Sequence, residues 1–353
     1  MHRGMDLAEQ NSVPAQEQAI RCFDEAIALR RKLPLEENPF FSYGLSAGWI
    51  NRGDALVRLG GDSSLAEAVK SYDEALLLLE ELPLEENALY PRRLAIAWIN
   101  RGTALQSREV SACAWEAVEC FREAIDVLQH PTATAIADLA PLLAGAWTNL
   151  ASALIGLGEE DESARSAAHR TLDLIGFSEK KEIASAEIGL KARHSLCRLA
   201  TRDILNKKTL PRNILAEATD AADSAMVLAR HWHGRGPGNF VKLVREIFRF
   251  GCRIYATGQA HFLAEFLMES LAAETFEAPF LLDRETFDAA QASIWSALEK
   301  LQPDDGFQFI AAPHFESFLW DIQELRKAEQ RLKQLREAGV TVQVELCAVA
   351  QCN

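Results

Sequence analysis

Three stretches of this chain repeat one pattern of apolar positions. Ala19, Ile20, Phe23, Ala26 and Ile27 mark the first, Ala68, Val69, Tyr72, Ala75 and Leu76 the second, and Ala117, Val118, Phe121, Ala124 and Ile125 the third. Within each, apolar residues fall at i, i+1, i+4, i+7 and i+8, which is one face of an α-helix. A second pattern alternates with the first. Trp98-Ile99-Asn100-Arg101-Gly102-Thr103-Ala104-Leu105 has a close copy at Trp49-Ile50-Asn51-Arg52-Gly53-Asp54-Ala55-Leu56 and a looser one at Trp147-Thr148-Asn149-Leu150-Ala151-Ser152-Ala153-Leu154. Both patterns step by 49 residues (98 − 49 and 147 − 98 for the tryptophans). A fixed step of this size marks an array of repeated units, none of which buries its apolar face alone.

The connectors repeat too: Leu33-Pro34-Leu35-Glu36-Glu37-Asn38 returns as Leu82-Pro83-Leu84-Glu85-Glu86-Asn87. Proline disfavours helix at the residue before it, so the ring-bearing helices should end near Leu33 and Leu82. Asn38 followed by Pro39 reads as a helix cap and a first helical residue. Ser64 with Glu67 reads as a capping box that opens the next helix. One unit is then helix A with the Trp motif, a short loop, and helix B with the Ala-ring-Ala motif. The Trp, the small Gly or Ala and the helix-B ring are packing residues in this reading: the small residue lets A and B approach, and the rings fill the space above it.

Trp-x-x-x-Gly-x-x-Leu followed by Ala-x-x-x-(Phe/Tyr)-x-x-Ala resembles the tetratricopeptide repeat (TPR). The usual unit of that family is shorter, so the closer likeness is to long-helix variants such as those of kinesin light chain. The resemblance covers residues 12–130 and weakens beyond. The third B helix, around Ala164–Ile175, has Ala168 in place of the ring. A fourth unit shows only as Leu196 and Ala200 with a B helix at Ala216–Ala229, and a fifth as Phe240–Thr257 and Gln259–Ala273 with Gly251 at the small position. Decay toward one end suits a terminal unit, whose outer face must change. The implied fold is all-α, a right-handed superhelical solenoid of about four to five helical hairpins closed by a C-terminal helical cap.

The expected domains are a disordered N-terminus at 1–11, a solenoid at 12–275 that opens on a lone B helix, a helical cap at 276–339 and an extended tail at 340–353. The cap includes helices at Thr286–Leu301 and His314–Ala338. In the tail, Val340-Thr341-Val342-Gln343-Val344-Glu345-Leu346 alternates like a strand. A lone strand has no partner in a helical solenoid. The tail is therefore disordered, packs as extended chain, or pairs with another molecule's edge, so self-association through it is open.

Charge narrows the partners. With 37 Lys+Arg against 51 Asp+Glu, the net charge is −14, which argues against nucleic acid or an anionic membrane and permits a basic protein or peptide. The chain shows no apolar run long enough for a membrane span and no apolar signal region, which together read as cytoplasmic. Seven scattered cysteines suit reduced, buried thiols better than a disulfide framework.

Candidate chemistry is sparse. Asn51, Asn100 and Asn149 follow each Trp by two residues, and Arg198 holds the fourth equivalent place. The TPR resemblance implies that this position faces the concave groove, where an Asn ladder grips a peptide main chain; the other reading is that each Asn bonds a neighbouring helix or faces water. Arg52 and Arg101 come next, with Glu74 and Glu123 at matching B-helix places. In the third unit Leu150 replaces the Arg and the corresponding B-helix region Arg170–Leu172 has no acid, which predicts an Arg–Glu pair inside each unit. His231-Trp232-His233-Gly234-Arg235 is an aromatic, basic loop that suits a partner contact through His231, His233 and Arg235; no third ligand follows at recognisable spacing, so no metal is expected. Cys347 and Cys352 have nonspecific spacing, and Glu159-Glu160-Asp161-Glu162 reads as solvated surface. No catalytic motif and no cofactor site is recognisable. The expected function is a noncatalytic scaffold that binds a partner protein or peptide in its groove. The alternatives are a small-ligand or peptide sensor that regulates a neighbouring protein and, behind it, an enzyme using the His231/His233 loop.

Overall fold

The computed structural model describes residues 1–10, 12–108, 110–130, 139–158, 160–206, 210–232, 239, 240, 242–244, 246, 247, 250, 251, 254, 308, 309, 343 and 344. The protein is all-α: apart from one two-residue strand pairing, every described element is helical. The chain divides into two compact units, Met1–Gly176 and Phe177–Asn353. The expected boundary at 275/276 lies outside the described residues, and so does the expected cap except for Gln308 and Phe309, which are extended rather than helical.

In the first unit the helices are α1 (His2–Ala8), α2 (Val13–Arg30), α3 (Pro39–Leu59), α4 (Asp62–Glu80), α5 (Leu89–Gln106), α6 (Ser111–Gln129), α7 (Ala140–Leu157) and α8 (Asp161–Ile175). Each packs on the next in chain order, and the Trp-bearing helices α3, α5 and α7 also touch in succession. Asn38 caps α3 by accepting the Phe40 N–H at 2.9 Å, with Pro39 as the first helical residue. α7 ends on Gly158, whose φ of 75° supplies the left-handed turn that exposes two closing carbonyls to its N–H. Among the described residues, α7 is the one helix long and apolar enough to cross a membrane; here it packs against α6 and α8.

Three expectations about boundaries change. The polar start does not fray: residues 2–8 form α1, which packs on α2. Gly4 lies against the Phe23 ring as Gly53 lies against Tyr72 and Gly102 against Phe121, so α1 stands where the end of an A helix stands in later units, and α2 is not a lone B helix. α4 opens at Asp62 behind Gly61 rather than on a Ser64 box. The helices α2 and α4 stop at Arg30 and Glu80, two to three residues before Leu33 and Leu82, whose N–H groups turn onto the Arg30 and Leu79 carbonyls.

The core of this unit is the row of rings. Phe23, Tyr72 and Phe121 are fully buried, with Leu45, Leu79, Leu105, Leu128 and Leu154 around them. A Cβ added at Gly53 would stand 2.6 Å from Tyr72 Cε1, and one at Gly102 2.7 Å from Phe121 Cε1. Trp49, Trp98 and Trp147 are half-buried rather than enclosed. The Arg31 and Arg52 guanidinium groups lie 4.9 Å and 5.9 Å from the Trp49 ring centre.

The second unit opens on a 3₁₀ turn and carries α9 (Ile183–Leu205) and α10 (Arg212–His231), packed together. Leu196 and Ala200 on α9 are buried, as are Ala218, Ala222, Ala225 and Met226 on α10. Of the expected fifth A helix, Phe240, Val244, Ile247 and Ile254 are described and buried. The strand-like tail finds a partner in its own chain: Gln343 and Val344 pair in parallel with Gln308 and Phe309.

Gly102→Ala is expected to lower stability by about 1–2 kcal/mol, because overpacking against Phe121 outweighs the helix-propensity gain. Gly145 on α7 has open space where its Cβ would go, so Gly145→Ala should raise stability by about 0.5–1 kcal/mol. Urea melts of the two variants check the contrast; shifts of the same sign would contradict it.

Candidate functional site

The three asparagines sit on α3, α5 and α7, each half-buried. Their surroundings differ. Asn100 Nδ2 donates to Asp54 Oδ1 at 2.9 Å, and the same oxygen accepts the Tyr72 hydroxyl at 2.7 Å. Asn100 therefore ties α5 to α3 and α4, which is the helix-bonding alternative. Asn51 and Asn149 make no side-chain hydrogen bond among the described residues. Burial, the largest influence, raises the Asp54 pKa against the lowering effects of Tyr72, Arg58 and Asn100. A second carboxylate in this row would compound that cost, and Thr103 and Ser152 stand at the equivalent places.

Arg198 is exposed on α9, in the second unit. One turn before it, His194 Nε2 lies 2.8 Å from Glu246 Oε2, and the Phe250 ring centre is 5.3 Å from the imidazole. Burial lowers the His194 pKa; Glu246 opposes this, while Arg198 and Lys242 add to it. His231 is not a free contact point: a ring nitrogen lies 2.9 Å from the Lys180 carbonyl, and Trp232 Nε1 donates to the Glu179 carbonyl at 2.8 Å. Arg193 holds the Glu179 carboxylate with Nη1 and Nη2, one on each oxygen. These bonds fasten the end of α10 to the 3₁₀ turn. His233 and Arg235 lie outside the described residues, as do Cys347 and Cys352. Among the described residues no three His, Cys, Asp or Glu side chains gather as a metal site, and Cys22, Cys113, Cys120 and Cys197 are free thiols.

The expected partners are not the ones found: Arg52 does not pair with Glu74 nor Arg101 with Glu123, although Arg101 Nη2 lies 3.8 Å from Glu116 on the B helix of its own unit. Arg52 Nε donates to Asp24 at 2.7 Å and Arg101 Nε to Asp73 at 2.6 Å, each acid standing on the preceding B helix. The other end of each guanidinium turns into its own hairpin, Arg52 onto Ser71 Oγ at 2.7 Å and Arg101 onto Cys120 Sγ at 3.0 Å. Glu74 pairs instead with Arg31, at 2.9 Å. Each arginine thus clasps three helices and joins one hairpin to the next. The guanidinium side chains are only 18% and 20% exposed, their acids 50% and 44%.

The right acid was visible in the sequence. Asp24 and Asp73 share the 49-residue step, and the third member is Arg122, lost together with the arginine that becomes Leu150. Arg122 turns to Glu119 and Glu160 instead. The Asp54 node also left a trace. Among Phe23, Tyr72 and Phe121 only the ring facing Gly53 has a hydroxyl, and its hairpin alone has an acid beside that glycine.

No family model matches the chain, and no curated protein matches it. The chain is similar to a solved structure, BtubC (BKLC) from P. vanneervenii, at 15% identity and a TM-score of 0.50, over 82% of this chain and 94% of that one. At that identity the likeness concerns the fold alone.

A double-mutant cycle separates the two arginine pairings. Arg101 and Asp73 should couple by about 0.5–1 kcal/mol, a partly screened pair, and Arg101 and Glu123 by about zero. Coupling to Glu123 as large as that to Asp73 would contradict the clasp. Asp54→Asn keeps the acceptor for Tyr72 and Asn100 and removes the buried charge. The raised pKa means the folded chain holds this proton more tightly than the unfolded one, so the wild type loses stability as pH rises through the carboxylate range. The variant should match or exceed wild type at neutral pH, and its advantage should shrink on acidification, as read from thermal melts across pH.

Proposed function

We propose that the chain is a noncatalytic scaffold of the tetratricopeptide type, a right-handed superhelical solenoid whose A helices form a concave groove for a segment of a partner protein. The observation that carries this reading is the pair Asn51 and Asn149. They stand on α3 and α7, half-buried, with side chains that bond to nothing among the described residues, on either side of an Asn100 that is already engaged. A half-buried amide with open donors and acceptors suits the N–H and C=O groups of an extended chain, which it grips without reading side chains. The repeated contact of α3 with α5 and α5 with α7 supports a continuous A-helix face, and the likeness to BtubC supports the architecture. The ladder is accordingly shorter than the repeat alone implies: Asn51 and Asn149 grip, and Asn100 holds the wall. A net charge of −14 favours a basic partner over nucleic acid or an anionic membrane.

Affinity capture from native lysate tests the reading. The Asn51→Ala/Asn149→Ala variant should capture the partner about tenfold less well, for two lost bonds at roughly 0.5–1.5 kcal/mol each, with its melting temperature nearly unchanged. Asn100→Ala should instead lower the melting temperature. Equal capture by wild type and the double variant would refute the groove.

A further inference from the structure

Two arginines break the repeat, and they meet. Arg30 at the end of α2 stands 49 residues before Leu79, which stands 49 before Leu128, and both leucines are core. The first unit thus puts a guanidinium where the later units put a buried apolar side chain. On α5, Arg93 stands at the repeat position held by Gly44 on α3 and Leu142 on α7. Arg30 Nη1 donates to the Gly44 carbonyl, and Arg93 Nη1 donates at 2.7 Å to the carbonyl of Tyr43, the preceding residue. Gly44 makes the room, since a Cβ there would stand 2.6 Å from Arg30 Nη1. The Arg93 guanidinium lies 3.5 Å from the Tyr43 ring centre, and Tyr43 packs on Tyr90 with ring centres 5.3 Å apart.

Two cations on neighbouring carbonyls call for a counter-charge. Both are half-buried, and neither forms an ion pair among the described residues. Arg31 is taken by Glu74, and Arg92 is a further cation, exposed beside Arg93. Burial lowers the Arg93 pKa; Tyr43 opposes this, and the Arg30 and Arg92 charges add to it, so the site itself disfavours its own charge. Each guanidinium spends Nη1 on a carbonyl, which leaves the rest of its donor fork for a ligand. A carboxylate balances one of the two cations. A phosphoryl dianion balances both, and its acceptor oxygens suit two forks at once. Gly44 precedes Asn51, and Arg93 precedes Asn100, by seven residues (51 − 44 and 100 − 93), which is about two helical turns. Gly44 and Arg93 therefore lie on the asparagine side of their helices, and the Arg93–Tyr43 and Asn100–Asp54 bonds both join α5 to α3.

We propose that Arg30 and Arg93 form a receptor for the phosphoryl group of a phosphorylated side chain on the partner segment. The carrier of the phosphate rests on the proposed A-helix groove; the two-arginine receptor does not. A basic segment with one phosphate suits both the net charge of the chain and this local one.

The probe is N-acetyl-O-phosphoserine amide, titrated with the full chain and followed by phosphorus NMR. Its serine and glutamate counterparts and inorganic phosphate serve as competitors. The ester should bind, the glutamate counterpart should compete at least about tenfold less well, and the serine counterpart should not compete. Binding should weaken several-fold from about pH 7.5 to about pH 5, as the ester takes up its second proton near pH ~6. Arg30→Leu installs the residue of the later repeats; it should weaken binding about tenfold or more with a melting temperature at or above wild type, and Arg93→Gln should weaken binding likewise. Asn51→Ala/Asn149→Ala should bind the ester within about threefold of wild type. Retained ester binding with partner capture indifferent to the two asparagines fails the groove and keeps the receptor; lost ester binding with capture that depends on them fails the receptor and keeps the groove. Wild-type ester binding by Arg30→Leu or Arg93→Gln, or equal competition by the glutamate counterpart, would overturn the proposal. So would a lowered melting temperature in Arg30→Leu, which makes Arg30 a strut, or inorganic phosphate binding about tenfold tighter than the ester, which assigns the site to the free ion.

Discussion

A glycine pressed against an aromatic ring sets the spacing of the helices in the first three pairs. Gly4 meets Phe23, Gly53 meets Tyr72 and Gly102 meets Phe121, with no room for a methyl group in any of them. The distance between A and B follows from that contact, and other features follow from the distance. It is short enough for Arg101 to reach Cys120 across its own hairpin and Asp73 on the previous one, and for Tyr72 to reach Asp54. The glycine costs helix propensity, about 1 kcal/mol relative to alanine, and ring burial outweighs it. Where ring and glycine give way to Ala168 and Ala151, the clasp disappears as well, and Leu150 lies buried in the arginine's place.

Between hairpins the chain uses polar links that are modest singly and repeated. Asp24–Arg52–Ser71 and Asp73–Arg101–Cys120 have the same form one step apart. Their acids are half exposed, so screening limits what each contributes, and their main effect is to fix register. The Asp54 node is a different case. It gathers α3, α4 and α5 on one carboxylate oxygen and accepts the penalty of a buried charge in exchange for geometry.

The fold was legible because its signal is periodic. A 49-residue step in Trp, Gly and ring positions identifies helix pairs without any tertiary information, and α3 to α6 fall where it places them. α1 was missed because a single short segment shows no period; it shows only when Gly4 is set against Gly53 and Gly102. Pairings were harder. Spacing alone aligned Arg101 with Glu123 of its own unit, whereas the reach of the guanidinium runs back to Asp73. The asparagines show the limit most plainly, since one repeated residue type does two jobs. Asn100 became a strut because Asp54 lies beside it, where the equivalent neighbour of Asn149 is Thr103, and the asparagine motif alone does not show the difference.

The central claim is that a partner lies along the A-helix face and is held by Asn51 and Asn149. Photocrosslinking in cells tests it most directly, with benzoylphenylalanine placed at Asn51 or Asn149 and, for comparison, at Glu17 or Asp126 on B helices. The predicted result is a common crosslinked partner from the two asparagine positions and none from the B-helix positions. Crosslinks from Glu17 or Asp126 alone would contradict it.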